Sequence, residues 1–328
     1  MPEVAEAMVA EAMVAEAMVV DALPAGALSA DGRPAAARSA WSQTLGDYVT
    51  LTKPRIMSLL VLTALCAMIA AAGGSPATVP LLALVLGGGL ACGGASALNH
   101  VLDRDIDRLM GARTASRPVA AGRIAPGRAV AFGLALSTLS FVVMALFDNV
   151  LAAVLAVSGG AFYVVVYTLW LKRSTTQNIV IGGAAGAIPP LAGWAAAHGS
   201  LGLGAALLFV IVLLWTPPHF WALALLLAPH YEAAKVPMLP VVRGASATAA
   251  QVLAYSVVLV AVSVLPAVLG TFGMLYLGAA IALGAVFCAL AWRLWRQPTA
   301  PRAAALFHYS LLYLALLFVA VAADAAIR

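Results

Sequence analysis

An all-α bundle of nine transmembrane helices is the fold this sequence predicts, and three observations predict it. The 328 residues are 64% hydrophobic and 9% charged, whereas a soluble domain carries roughly 25% charged residues. From Ile56 onward the apolar residues fall into nine runs of about 17 to 25 residues, the length that crosses a bilayer as a helix. Lys and Arg occupy every second connection between those runs and leave the others empty. This composition excludes a soluble globular enzyme. The formal charge of +5 sits largely in loops, where it speaks of topology and of phosphate rather than of nucleic acid.

Residues 1–48 stand apart. Glu6, Glu11 and Glu16 mark a five-residue repeat; each step turns a helix by about 140°, so no apolar stripe forms. Gly, Pro and Ser then take over from Pro24 to Ser39. The expectation is a mobile low-complexity tail over 1–48 and a membrane domain over 49–328. The tail is too acidic for a mitochondrial presequence and lacks the pattern of a signal peptide.

The spans are expected near 56–72, 79–100, 127–146, 149–170, 178–197, 202–226, 249–269, 272–292 and 303–324. Thr52-Lys53-Pro54-Arg55 precedes the first. Pro54 suits the first turn of a helix, which leaves Lys53 and Arg55 at its positive end, either beside a diphosphate or as interfacial anchors. Cys66, Cys92 and Cys288 fall in apolar runs and read as free thiols.

The richest chemistry lies between the second and third spans, in SALNHVLDRDIDRLMGARTASRPVAAGRIAPGR. Three of the six acidic residues beyond Tyr48 are here, with six arginines. Asn99, Asp103 and Asp107 stand at i, i+4 and i+8; on a continuing helix they turn by only about 80° and form a ladder on one face. Asp105 points to the other side. Two carboxylates one turn apart repel unless a cation sits between them, and Mg²⁺ suits such a pair because it takes oxygen ligands and is shared with phosphates. Arg113 and Arg117 can take further phosphate oxygens. The alternative is a charged loop that only orients the spans.

The ladder followed by R-T-x-x-R-P resembles the first signature of the UbiA superfamily of intramembrane prenyltransferases. The resemblance implies a UbiA-type bundle with the site at its cytoplasmic side, Mg²⁺ on Asn99, Asp103 and Asp107 as the catalytic centre, and a bound isoprenyl diphosphate. Within the superfamily the sequence is most similar to the enzymes that farnesylate protohaem IX. That likeness implies farnesyl diphosphate and protohaem IX as substrates, and a product passed to a haem A synthase or to terminal oxidase assembly.

After the fourth span, Lys172 and Arg173 offer two more charges for phosphate contact or for anchoring. In the fifth, NIVIGGAAGAIPPLAGW, the glycines allow close helix approach, and Pro189-Pro190 is expected to break the helix and mark a cavity wall. The sixth carries WTPPHFWALAL. His219, with Trp215, Phe220 and Trp221 around it, is a satisfied core histidine or faces the iron of a planar guest. The resemblance favours the guest, with Trp215 and His230 as further haem-binding candidates. The next connection, HYEAAKVPMLPVVRG, is similar to the superfamily's second motif, D-Y-x-x-A-x-x-P-M-L-P. Tyr231 and Lys235 match diphosphate-binding positions, but His230 stands where the acid is expected. Tyr255, Tyr276, His308 and Tyr309 in the last three spans read as packing or interface groups.

Of the 18 basic residues only Arg328 falls on the side poor in charge. The positive-inside rule then puts the N-terminus in the cytoplasm and the C-terminus outside, in a bacterial inner membrane. Two competitors remain: a UbiA enzyme that prenylates an aromatic quinone precursor, which would want a second acidic motif, and a multi-pass transporter, which would place charges at midplane.

Overall fold

The computed structural model describes residues 40–328, apart from the side chains of Ala40, Arg55 and Arg113; residues 1–39, most of the expected tail, lie outside the described residues. Helix α1 (Ala40–Thr52) begins inside the stretch counted with the tail, so residues 40–48 are helical. A bend of 51° leads into α2 (Pro54–Ala71), with Pro54 in the first turn. Lys53 makes the bend with a left-handed φ of 50°, a conformation that costs energy in any residue with a Cβ.

The chain continues through α3 (Thr78–Leu102), the short α4 (Arg104–Leu109) and α5 (Ala112–Ala115), then α6 (Pro126–Phe147) and α7 (Val150–Ala161). Helix α7 runs directly into a π-helical segment, Phe162–Leu171, and a single turn, α8 (Lys172–Ser174). There follow α9 (Asn178–His198), α10 (Leu203–Leu226), α11 (Ala228–Ala233), α12 (Leu239–Val268), α13 (Met274–Arg296) and α14 (Ala300–Ile327). Among the described residues eight helices are long and apolar enough to cross a membrane, and nine if the bent pair α1–α2 counts as one span. The all-helical membrane bundle is as expected.

Helices α3 and α6 pack most extensively, and glycine is the reason. A Cβ on Gly94 would lie 2.7 Å from the Gly133 carbonyl oxygen, and one on Gly133 would lie 2.9 Å from that of Gly94. The two backbones therefore touch, as small residues allow in lipid. The Ser140 hydroxyl donates to Gly87 O at 2.6 Å and pins the same pair.

The expected break at Pro189-Pro190 does not occur. Helix α9 is continuous from Asn178 to His198, and α10 runs through Pro217-Pro218 in the same way. Each proline removes only its own N–H, and neighbouring helices can re-satisfy the freed carbonyls.

Because successive spans reverse direction, the start of α2, the ends of α3, the π segment, α10 and α13, and the starts of α9, α12 and α14 share one end of the bundle. All described Lys and Arg except Arg328 belong to that end. At the other end the buried Asp324 carboxylate accepts from Gly273 N at 2.6 Å and Tyr276 N at 3.3 Å, so α14 caps the start of α13. At this same end, after α6, burial pushes the Asp148 carboxyl up to about 7.

Candidate active site

Helix α3 delivers Asn99 at its last turn. Asp103 sits at the joint before α4, yet the hydrogen bonds keep helical spacing through it: Asp103 N donates to Asn99 O and Asp107 N to Asp103 O, each at 2.8 Å. The ladder survives a break between two helices. Asn99, Asp103 and Asp107 are all buried and line one cavity of about 1350 Å³.

Each rung has a cationic or polar partner. Lys53 Nζ donates to Asn99 Oδ1 at 3.1 Å, and Asn99 Nδ2 donates to Asp103 Oδ2 at 2.8 Å. Lys172 Nζ donates to the same Asp103 oxygen at 2.6 Å. Arg117 NH1 donates to Asp107 Oδ1 at 2.7 Å. The spacing of R-T-x-x-R explains the last contact: Thr114 Oγ1 donates to Asp107 O at 2.7 Å and folds the loop back, which carries Arg117 onto the carboxylate. Gly111 permits the turn with φ 113°.

Two carboxylate oxygens are left over. Asp103 Oδ1 and Asp107 Oδ2 are buried and have no hydrogen-bond partner. A buried anionic oxygen without a donor is costly, and burial holds the Asp107 carboxyl above its ordinary range against the pull of Arg117. A hard divalent cation sharing these oxygens with a diphosphate removes that cost, so the donor set fits Mg²⁺. Among the described residues no three His, Cys, Asp or Glu side chains cluster for a metal; such an ion would rest on two carboxylates, the Asn99 carbonyl and its substrate. Three cations, Lys53, Lys172 and Arg117, face two carboxylates here, which leaves a positive balance for an anion.

Other expected contacts fall elsewhere. Asp105 points away from the cavity, as its helical phase predicts, and Arg173 grips it with bonds of 2.7 and 2.8 Å, which holds its carboxyl well below the usual carboxylate range. Arg173 therefore braces the loop and does not line the cavity. Lys235 is exposed and also outside the cavity; its left-handed φ of 55° closes α11, and its side chain leaves the site. Arg55 and Arg113 fall on side chains outside the described set. Tyr231 is buried on the cavity wall, and burial pushes its phenol up to about 12. His230 lies on that wall beside Gly111, at the ladder's end rather than beside His219.

The far part of the cavity is apolar and aromatic. His219 is sandwiched between Trp215 and Phe307, with ring centroids 4.3 and 4.9 Å away. Its Nδ1 lies 2.6 Å from Ser310 Oγ, and the Trp215 indole donates to Ser310 O at 2.8 Å. Tyr163 and Tyr167, stacked at 5.5 Å, line the same cavity. Sequence reasoning missed Thr168, Ser310, Phe307 and the tyrosine pair. Each belongs to a span that reads only as apolar.

The sequence pattern of the UbiA prenyltransferase family matches residues 60–319. A protohaem IX farnesyltransferase from Gloeobacter violaceus is 54% identical over 284 residues, covering 86% of this chain and 93% of that protein. One from Thermus thermophilus is 48% identical over 293 residues, of which this chain spans about half the length (48%). Among solved structures, a digeranylgeranylglyceryl phosphate synthase superposes with a TM-score of 0.71 at 21% identity, over 87% of this chain and all of that one. A UbiA homologue from Archaeoglobus fulgidus bound to DMAPP and Mg²⁺ gives 0.64 at 16% identity, over 84% of this chain and 99% of that one. With its ladder and this likeness along most of its length, the chain belongs to the UbiA prenyltransferase family.

Proposed function

We propose that the chain transfers the farnesyl group of farnesyl diphosphate to a vinyl carbon of protohaem IX, with water completing a hydroxyethylfarnesyl side chain and diphosphate leaving, to give haem O. One observation carries the reading: a single cavity joins the orphaned carboxylates and their cations to an aromatic, apolar region that holds His219. Relatives named protohaem IX farnesyltransferase, at about half identity, support the choice of substrates.

Mg²⁺ held by Asp103, Asp107 and the Asn99 carbonyl would supply Lewis-acid stabilisation of the charge on the leaving diphosphate. Lys53, Lys172 and Arg117 neutralise the remaining oxygens as the allylic C–O bond breaks. The faces of Tyr163 and Tyr167 offer an electron-rich surface to the allylic cation. The apolar wall withholds water until the carbon–carbon bond has formed; earlier access would give farnesol. The hydroxyl then enters from water at the adjacent porphyrin side-chain carbon, and the water's second proton is released.

His219 suits an iron porphyrin better than a single-ring acceptor. The Ser310 hydroxyl proton is committed to Phe307 O at 2.6 Å, so Nδ1 of His219 is the donor to Ser310 Oγ. Nε2 then keeps its lone pair, the state in which a histidine meets a metal. Trp215 acts as one face of the sandwich. Protohaem, farnesyl diphosphate and Mg²⁺ incubated with the purified protein should give a haem heavier by farnesyl plus hydroxyl, and omission of Mg²⁺ should stop the reaction. Unchanged haem together with prenylated 4-hydroxybenzoate would replace this reading with the quinone-precursor one.

The orientation, with the ladder facing the cytoplasm of a bacterium, rests on the one-sided charge. Cysteines placed at the exposed Gly73 and His198 should react with impermeant reagents from outside, and one at Lys235 should not; the reverse pattern inverts the topology.

A further inference from the structure

We propose that Thr168 is a positioning residue for the transfer: its hydroxyl fixes which end of the Asn99 carboxamide faces the cavity, and π-helical winding puts it there. The inference rests on reading Asn99, Asp103 and Asp107 as the site of a divalent cation and a diphosphate.

An amide has an oxygen end and an NH₂ end of nearly equal size, and only the oxygen can serve a cation. Asn99 is surrounded by three groups that decide its direction. Lys53 donates to Oδ1 at 3.1 Å, while Nδ2 donates to Asp103 Oδ2 at 2.8 Å and to Thr168 Oγ1 at 3.1 Å. Thr168 is fully buried, and its own proton goes to Tyr163 O at 3.0 Å. Its oxygen can therefore only accept from Asn99.

The three neighbours differ once a ligand arrives. A cation draws the Asp103 carboxylate toward itself, and a diphosphate competes for Lys53. Both charged neighbours are then partly diverted from Asn99. Thr168 is uncharged, its proton is already committed, and it reaches no phosphate, so its preference for the NH₂ end is the same with and without substrate.

The winding matters because a threonine hydroxyl in an α-helix back-bonds to the carbonyl three or four residues earlier. Here it reaches five residues back, in keeping with the i→i+5 pattern of a π-helix. Lys172 and Arg173, four and five residues further on, meet Asp103 and Asp105. One segment thus contacts Asn99, Asp103 and Asp105 in register, and α-helical winding over Phe162–Leu171 would rotate these contacts apart.

The test compares Thr168→Val, which keeps the shape and loses the hydroxyl, with Thr168→Ser, which keeps it. Mn²⁺ binding in the presence of inorganic diphosphate, followed by electron paramagnetic resonance, gives a readout independent of turnover. Thr168→Val should weaken Mn²⁺ binding and raise the Mg²⁺ concentration needed for half-maximal activity by about 10- to 100-fold, the usual effect of losing an outer hydrogen-bond partner of a metal ligand. Thr168→Ser should stay within about threefold of the parent on the same scale. The decisive arm repeats Thr168→Val in an Asn99→Asp background, because a carboxylate has no wrong end: the extra loss should vanish there. A loss of equal size in both backgrounds, or in Thr168→Ser as well, means that Thr168 only packs, and the proposal is overturned. A parent protein that binds no Mn²⁺ with diphosphate overturns the metal-site reading itself, and with it this one.

Discussion

Asp103→Asn and Asp107→Asn should each lower turnover by about 10²- to 10³-fold, the scale of losing a principal electrostatic contact at a reacting anion, while Asp105→Asn should change it less than about threefold. Each of the first two substitutions removes one of the two carboxylates whose spare oxygen has no protein donor, and the amide put in its place binds a hard cation poorly. The ion pair of Asp105 is with Arg173, both side chains are substantially exposed, at 59% and 36%, and exposed pairs contribute little. Initial rates of farnesylated haem formation check the comparison. Equal losses at all three positions would mean that the carboxylates act through the fold of the loop and not through the cavity.

The second large effect is expected at Lys172. Its ammonium lies 2.6 Å from Asp103, with side-chain exposures of 11% and 2%, so Lys172→Met leaves a buried carboxylate without its cation. Breaking such a pair costs about 3–5 kcal/mol, visible as a lower unfolding temperature in detergent, and turnover should fall with it. Adding Asp103→Asn should restore much of the stability, because no uncompensated charge remains, and none of the activity. If the double variant is as unstable as the single one, the pair does not set the stability of this end of the bundle.

How much of this was legible in the sequence depends on the period each feature follows. The ladder at Asn99, Asp103 and Asp107 repeats every four residues in a polar setting, so it could be read, and the hydrogen bonds through Asp103 preserved its phase although the helix is interrupted there. The phase of Asp105 was read correctly for the same reason. Thr168 could not be found, because an apolar run carries no mark of π-helical winding and its partner Asn99 is 69 positions away. Pro189-Pro190 was overread, since a lipid-embedded helix has neighbours that tolerate proline. Lys235 was matched by motif alone, and motif spacing says nothing of a left-handed backbone that turns the side chain outward. The N-terminal boundary was set by composition, which did not register that residues 40–48 are helical and supply Asp47, the partner of Arg123 at 2.9 Å.

The place where the ladder stands, at the last turn of α3 rather than halfway along it, has a consequence for the membrane voltage. Each elementary charge carried across a full 100 mV costs or gains about 2.3 kcal/mol, so a trianionic diphosphate drawn through the whole field would feel about 7 kcal/mol. A substrate headgroup that meets Asn99, Asp103 and Asp107 at the helix end crosses only a small part of that field, and the released diphosphate departs through the same part. Turnover in energised and de-energised vesicles is therefore nearly the same, and the chemistry runs beside the membrane potential without drawing on it.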